Sequence, residues 1–356
     1  MDTPSRIPSL DGLRAISICC VLLAHLSGTR HFLRSDVFEL YGNFGVRMFF
    51  VISGYLITTL LLKEKQRTGT ISLREFYVRR AYRILPAAYA YMLMAIALNW
   101  SALRWGNIVT AITYTSSYYP AGNPSLGHLW SLSVEEQFYL LWPLTLFVFF
   151  RLRLQIVAAL IAAGPLLRTL LWLLWGHRGI EHPFPAVMDA LAAGCALAMI
   201  QPQLRRYDRW ILSRWFLVVS ALTALTPLVQ LFSGRAYQLV GLTLMHLEIA
   251  ATIQHTVQVR YRALNLRPMV WLGVVSYSLY LWQQPFLNRA SSAWWAVFPL
   301  NLALALLCAT ASYRLVEKPF LALRERGSKG IRTMPARIAN TSEEFVVCAG
   351  SPPSAA

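Results

Sequence analysis

Charge is what this chain is short of. Only 14% of its 356 residues are Asp, Glu, Lys or Arg, against 56% hydrophobic, whereas a soluble globular chain carries about 25% charged residues. That deficit excludes an ordinary soluble domain and leaves a polytopic membrane protein. Acidic residues are scarcest, 16 against 33 basic, for a net charge of +17. In a soluble protein such a surplus points to nucleic acid. Here the basic residues gather between apolar runs, as membrane topology requires, so no nucleic-acid partner is expected. Cysteine is sparse too. Cys19, Cys20, Cys195, Cys308 and Cys348 form no C-x-x-C pair and mostly sit in apolar runs. This excludes a zinc module or a disulfide framework, and no metal site is expected. Repeats and low-complexity arrays are absent, and no soluble stretch is long enough to form a domain.

What is present is apolar length. Spanning a bilayer takes about 20 mostly apolar residues. Ten stretches qualify: 12–29, 43–62, 82–100, 128–150, 154–175, 184–201, 214–233, 237–258, 268–288 and 294–316. The stretch 107–119 is shorter and rich in Thr, Ser and Tyr, and reads as a partly embedded connection. The first segment lacks a small-residue cleavage site, since Gly28-Thr29-Arg30-His31 follows it, and is expected to be retained. With ten spans and the N-terminus inside, 24 of the 33 Lys and Arg fall on the inner side and seven on the outer, with Arg168 and Arg314 within spans. That asymmetry predicts an all-α bundle with both termini cytoplasmic, in the cell's inner membrane. Residues 1–326 form the membrane domain. Residues 327–356, rich in Ser, Pro and Ala, read as a disordered tail.

Ionisable groups inside such spans are costly and are functional candidates by default. Arg14 and His25 share one face of the first span, roughly 16 Å apart along the helix. Arg14 reads either as a snorkelling anchor or as part of a site. In FYVRRAYRILP, Arg79, Arg80 and Arg83 crowd about one turn and need an anion among them, either lipid headgroups or a phosphate-bearing ligand. GHLWSLSVEEQFYLLWP places Glu135 and Glu136 where hydropathy would exclude them, with His128 and Ser131 on the face of Glu135. A carboxylate at that depth would orient the His25 imidazole. Asp189 sits among small residues and reads as a partner for an arginine such as Arg168 or as part of a polar network with His246 and Glu248. In SYSLYLWQQPFL, Tyr277, Tyr280 and Gln284 share a face suited to a sugar or to an interfacial aromatic belt, while Trp282, Trp294 and Trp295 read as belt residues.

Taken in order, SLDGLRAI with Arg14 and His25, FGVRMFFVISGYLIT, FYVRRAYRILPA, GHLWSLSVEEQFYLLWP, SYSLYLWQQPF and YRLVEKPF resemble the acyltransferase-3 family of integral-membrane acyltransferases, over roughly residues 7–322. The resemblance implies transfer of an acyl group, most often acetyl, from cytoplasmic acyl-CoA to a hydroxyl on a saccharide or related acceptor such as a lipid-linked glycan. No permanently bound cofactor is expected, only acyl-CoA as donor. By residue match, Arg14 and His25 fall on the family's functional arginine and histidine, Arg79, Arg80 and Arg83 on its arginine-rich helix entry, and Ser53-Gly54-Tyr55 on its serine-glycine-aromatic turn. Glu135 falls on its WSLxxE glutamate, ahead of Glu136. The expectation is therefore His25 and Glu135 at the chemistry and Arg14, Arg79, Arg80 and Arg83 on acyl-CoA. Ser53, Tyr55, Glu136, Asp189, Tyr280 and Gln284 would support the site or line the acceptor path. Two positions depart from the pattern: Arg47 stands where many members have Asp, and Gln283 and Gln284 where many have His. Members that append an extracytoplasmic hydrolase-like domain are longer, and this sequence is expected to lack it. A non-saccharide acceptor, or a transporter or flippase of an anionic lipid-linked substrate, are the competing readings.

Overall fold

A backbone in lipid must satisfy its own hydrogen bonds, so each long apolar stretch closes on itself as a helix. The computed structural model describes residues 8–119, 124–175 and 181–332. Ten helical passes run through it: α1 (Pro8–Leu26), α2 (Asp36–Thr68), α3 (Leu73–Leu98), α4 (Trp130–Val148), α5 (Arg153–Trp175), α6 (Phe184–Leu204), α7 (Arg214–Phe232, in short helical pieces), α8 (Leu242–Val259, entered through a π-helical turn), α9 (Arg267–Trp282) and α10 (Leu300–Ser312). A second π-helical turn, Tyr313–Glu317, carries α10 into α11, Lys318–Arg332. No strand occurs among the described residues, only an isolated bridge between Arg30 and Val297.

Eight of these passes are long and apolar enough to cross a membrane. The other two of the ten expected are α4, interrupted by Glu135, Glu136 and Gln137, and α9, only 16 residues long. Both carry polar residues, Glu135 on α4 and Tyr280 on α9 among them. The stretch 107–119 is a short helix, Trp105–Ile112, followed by turns, so it serves as a connection. Helix α3 begins nine residues ahead of the expected span, because Ser72 caps it by accepting from the Glu75 amide and the FYVRRAYR turn is helical. Six residues of the expected tail, 327–332, belong to α11, and 333–356 lie outside the described residues.

α1, α2 and α6 form the buried middle, while α5 and α7 turn Leu166, Leu170, Leu173, Leu222 and Leu225 outward. The α2–α6 pair is held close by small residues. A Cβ on Gly54 would stand 2.0 Å from the Leu191 carbonyl oxygen, and one on Gly194 would stand 2.0 Å from that of Val51. Gly54→Ala should therefore push the two helices apart and destabilise the fold by about 1–3 kcal/mol, the ordinary cost of overpacking. A lowered midpoint of thermal unfolding in detergent checks this, and an unchanged midpoint would contradict it.

Candidate active site

The site is assembled from α1, α2, α3, α4 and α9, and its two ends have opposite chemistry. At one end Arg14 of α1 meets Arg80 and Arg83 of α3 as electrostatic neighbours. Arg80 lies over the Tyr139 and Phe76 rings, at 5.3 and 5.7 Å from their centroids. Unlike Arg79, these three arginines form no ion pair among the described residues, and the Arg14 Nε is buried without a hydrogen-bond partner. Asp11, Glu135, Glu136 and Glu317 lie within electrostatic reach and offset part of the repulsion among these like charges.

Arg79 does not join them. It points to the other side of α3, where it pairs with Glu64 at 3.0 Å and Glu75 at 3.2 Å. Glu64 also accepts from the Ser72 amide at 2.8 Å, so this cluster closes the α2–α3 turn. The i,i+4 spacing that groups Arg79 with Arg83 in sequence is outweighed by two carboxylates within reach. Exposed pairs of this kind are worth about 0–1 kcal/mol. Arg79→Ala is expected to soften the hairpin slightly, which thermal melting would measure.

Glu135 is placed at the arginine end. It accepts from Ser53 Oγ at 3.0 Å and from the Tyr139 hydroxyl at 3.1 Å, with Arg14 and Arg80 as its cationic neighbours. A small cavity of about 70 Å³ joins Arg14, Ser53, Glu135, Tyr277 and Tyr280. The expected Glu135–His25 contact is therefore not what the structure shows. Glu135 emerges on the turn of α4 that faces Ser53 of α2, and its hydrogen bonds are taken there. Glu136 faces Arg80, Tyr114 and Tyr277 instead, with Oε1 buried and unpartnered.

At the other end His25 lines a larger cavity of about 280 Å³ with His128, Trp130, Asn43, Glu181 and His182. The exposed Glu39–Arg289 pair, 2.6 Å, marks its rim, and Arg289 also donates to the Ala24 carbonyl at the end of α1. His25 has Gln283 beside it and leaves Nδ1 buried and unpartnered. Burial pushes the His182 imidazole below its ordinary pKa and Arg47 adds to this, with Glu181 opposing. The two cavities share Val46 and Tyr280. Tyr280 is the partition: its hydroxyl donates to the His128 carbonyl and lies 2.6 Å from Ser131 Oγ. The two cavities thus abut at Tyr280, one lined by Arg14 and the other by His25.

The remaining candidates lie outside both cavities. Asp189 is fully buried, paired with Arg168 at 3.0 Å, accepting from Thr243 at 2.6 Å and 3.2 Å from His246. It lines neither cavity, and the geometry gives it both Arg168 and His246, while Glu248 accepts from Thr226 instead. Tyr55 accepts from Gln201 at 2.8 Å across α2–α6. Gln284 has a buried, unpartnered oxygen but lines neither cavity. Trp282 is packed edge-on against Tyr91 at 5.8 Å rather than in an interfacial belt, whereas Trp294 is exposed. Arg47, without the family's carboxylate, is fully buried and finds its partners in Asn43 and the Glu181 carbonyl, 3.1 Å each. Glu181 and His182 were not singled out by the sequence; their one signal is a charged EHP triplet in an otherwise short connection.

The acyltransferase-3 model, described as an acyltransferase domain, matches residues 7–314. The chain belongs to this family. It is 28% identical to peptidoglycan O-acetyltransferase OatA of Listeria monocytogenes over 88% of this chain and 55% of that protein. It is 30% identical to O-acetyltransferase OatA of Staphylococcus aureus (strain NCTC 8325 / PS 47) over 95% of this chain and 60% of that protein. The chain therefore spans somewhat over half the length of these relatives. No solved structure matches it. Of the residues in the matched stretches, Arg14, Ser53 and Glu135 line the smaller cavity and His25 the larger.

Proposed function

We propose that this protein is a membrane O-acyltransferase that takes an acyl group, acetyl in the simplest case, from acyl-CoA at the arginine end and places it on a saccharide hydroxyl at the His25 end. The observation that carries this reading is the pair of cavities meeting at Tyr280. Arg14, Arg80 and Arg83 would hold CoA phosphates, for which guanidinium forks are suited. The pantetheine arm would run past Ser53 and Glu135, bringing the thioester toward His25 over the roughly 16 Å that separates Arg14 from His25 along α1. His25 would take the proton of the acceptor hydroxyl as its oxygen attacks the thioester carbon. The C–S bond then breaks, and the proton passes to the departing sulfur to give CoA thiol and an ester. We place the arginine end on the cytoplasmic side of the inner membrane, supported by the 24-to-seven distribution of Lys and Arg. A cell-envelope glycan is the acceptor class that the relatives' names favour.

Removing two of the phosphate contacts tests the donor assignment. Losing a hydrogen bond to a charged group costs about 1.5–3 kcal/mol. The double variant Arg80→Ala, Arg83→Ala should therefore raise KM for acetyl-CoA at least about 10-fold. Acetyl-pantetheine, which lacks the nucleotide phosphates, should be used equally by both forms. An unchanged KM for acetyl-CoA would sink the phosphate role.

A further inference from the structure

Two other buried histidines have polar groups against a ring nitrogen. His255 has Nδ1 2.5 Å from the Ile211 carbonyl oxygen and Nε2 2.6 Å from the Tyr261 hydroxyl, and His246 faces Asp189. His128 is different. It is 6% exposed, it lines the His25 cavity, and neither ring nitrogen has a hydrogen-bond partner. Its ring is held by aromatic neighbours instead: Tyr91 lies perpendicular to it at 5.3 Å, and Tyr280 lies tilted against it at 5.4 Å. Its backbone is fixed by the Tyr280 hydroxyl, which donates to the His128 carbonyl. The fold thus fixes where this imidazole sits and leaves both nitrogens free. Buried polar atoms without partners are costly and rare, and two on one rigid ring in the wall of a cavity are placed for a ligand.

We propose that His128 is a second catalytic residue, donating an N–H hydrogen bond to the thioester carbonyl oxygen as that oxygen gains negative charge. The inference rests on the acyl-transfer reading above. When the acceptor oxygen bonds to the thioester carbon, the carbonyl electron pair moves onto oxygen. His25 holds the proton released by the hydroxyl, and the His128 N–H stabilises the oxyanion. As the C–S bond breaks, the pair returns to the carbonyl and His25 gives its proton to sulfur. A neutral imidazole has one N–H and serves this role without changing its own charge. The sequence places His128 on the face of Glu135, but the structure turns it toward His25.

His128→Phe tests this cleanly. It keeps a ring for Tyr91 and Tyr280 to pack against, and it removes no hydrogen bond within the protein. The expected result is a fall in kcat of about 10²–10³-fold, an unchanged KM for acetyl-CoA, and a Tm at or above that of the wild type. His128→Asn, which restores an N–H donor, should recover part of kcat. The acceptor's acidity separates the two histidines. Trifluoroethanol, whose hydroxyl surrenders its proton readily, should rescue His25→Ala relative to ethanol but leave His128→Phe slow. The proposal is overturned if His128→Phe turns over like the wild type, if its loss accompanies a lowered Tm or a raised KM, or if trifluoroethanol rescues it. If the wild type releases no thiol from acetyl-CoA with any hydroxyl acceptor, the acyl-CoA reading itself fails and this proposal falls with it.

Discussion

His25→Ala should lower acetyl transfer by about 10²–10⁴-fold, the range that a positioned general base contributes, while the protein still inserts and folds. The reasoning comes from what the imidazole touches. His25 is on the last turn of α1, its Nδ1 makes no hydrogen bond, and it lines the cavity with His128 and Glu181. Its side-chain hydrogen-bonding neighbour is Gln283, and its truncation is expected to break no network that holds helices together. Initial rates of thiol release in proteoliposomes, with helix content by circular dichroism, make the comparison. Near-normal rates in a folded His25→Ala protein would remove it from the mechanism.

The second large effect is on stability. Arg168 is fully buried on α5 and donates from all three guanidinium nitrogens: to both Asp189 oxygens at 3.0 and 3.1 Å, to the Ala186 and Gln238 carbonyls at 2.8 and 2.7 Å, and to Thr243 at 2.5 Å. This one side chain ties α5, α6 and the entry to α8. Arg168→Met strands a buried carboxylate and should cost about 3–5 kcal/mol. The double variant Arg168→Met, Asp189→Leu removes both charges and should recover much of that loss, since an apolar pair of similar volume is often neutral or better. Thermal or denaturant unfolding in detergent distinguishes the outcomes. A single variant as stable as the wild type would show that the pair contributes nothing.

The helices were legible because lipid allows few alternatives: length and hydropathy located the ten helices, eight of them long and apolar enough to cross a membrane, and the stretch 107–119 is a short connection as expected. The ends of the site were legible too, since Arg14 and His25 share a helical face and polar groups at that depth stand out. Partner choice was not. Arg79, Arg80 and Arg83 differ by single positions along α3, and only the placement of Glu64 and Tyr139 decides that Arg79 turns to carboxylates while Arg80 stacks on an aromatic ring. Glu135 shows the same limit. Its depth along α4 is readable from sequence, but the hydrogen bond to Ser53 depends on how closely α2 approaches. Glu181 lies in a short connection whose position above Asn43, 2.7 Å away, is set by the packing of α2 and α6.

The central claim is that the acyl group enters at the arginine end and leaves at the His25 end of one passage. Proteoliposomes with labelled acetyl-CoA on one face and a glycan acceptor sealed on the other test it directly. The account predicts label on the acceptor when the arginine end faces the acetyl-CoA, and none when the protein is inserted the opposite way round. Transfer only when donor and acceptor share a face would contradict it.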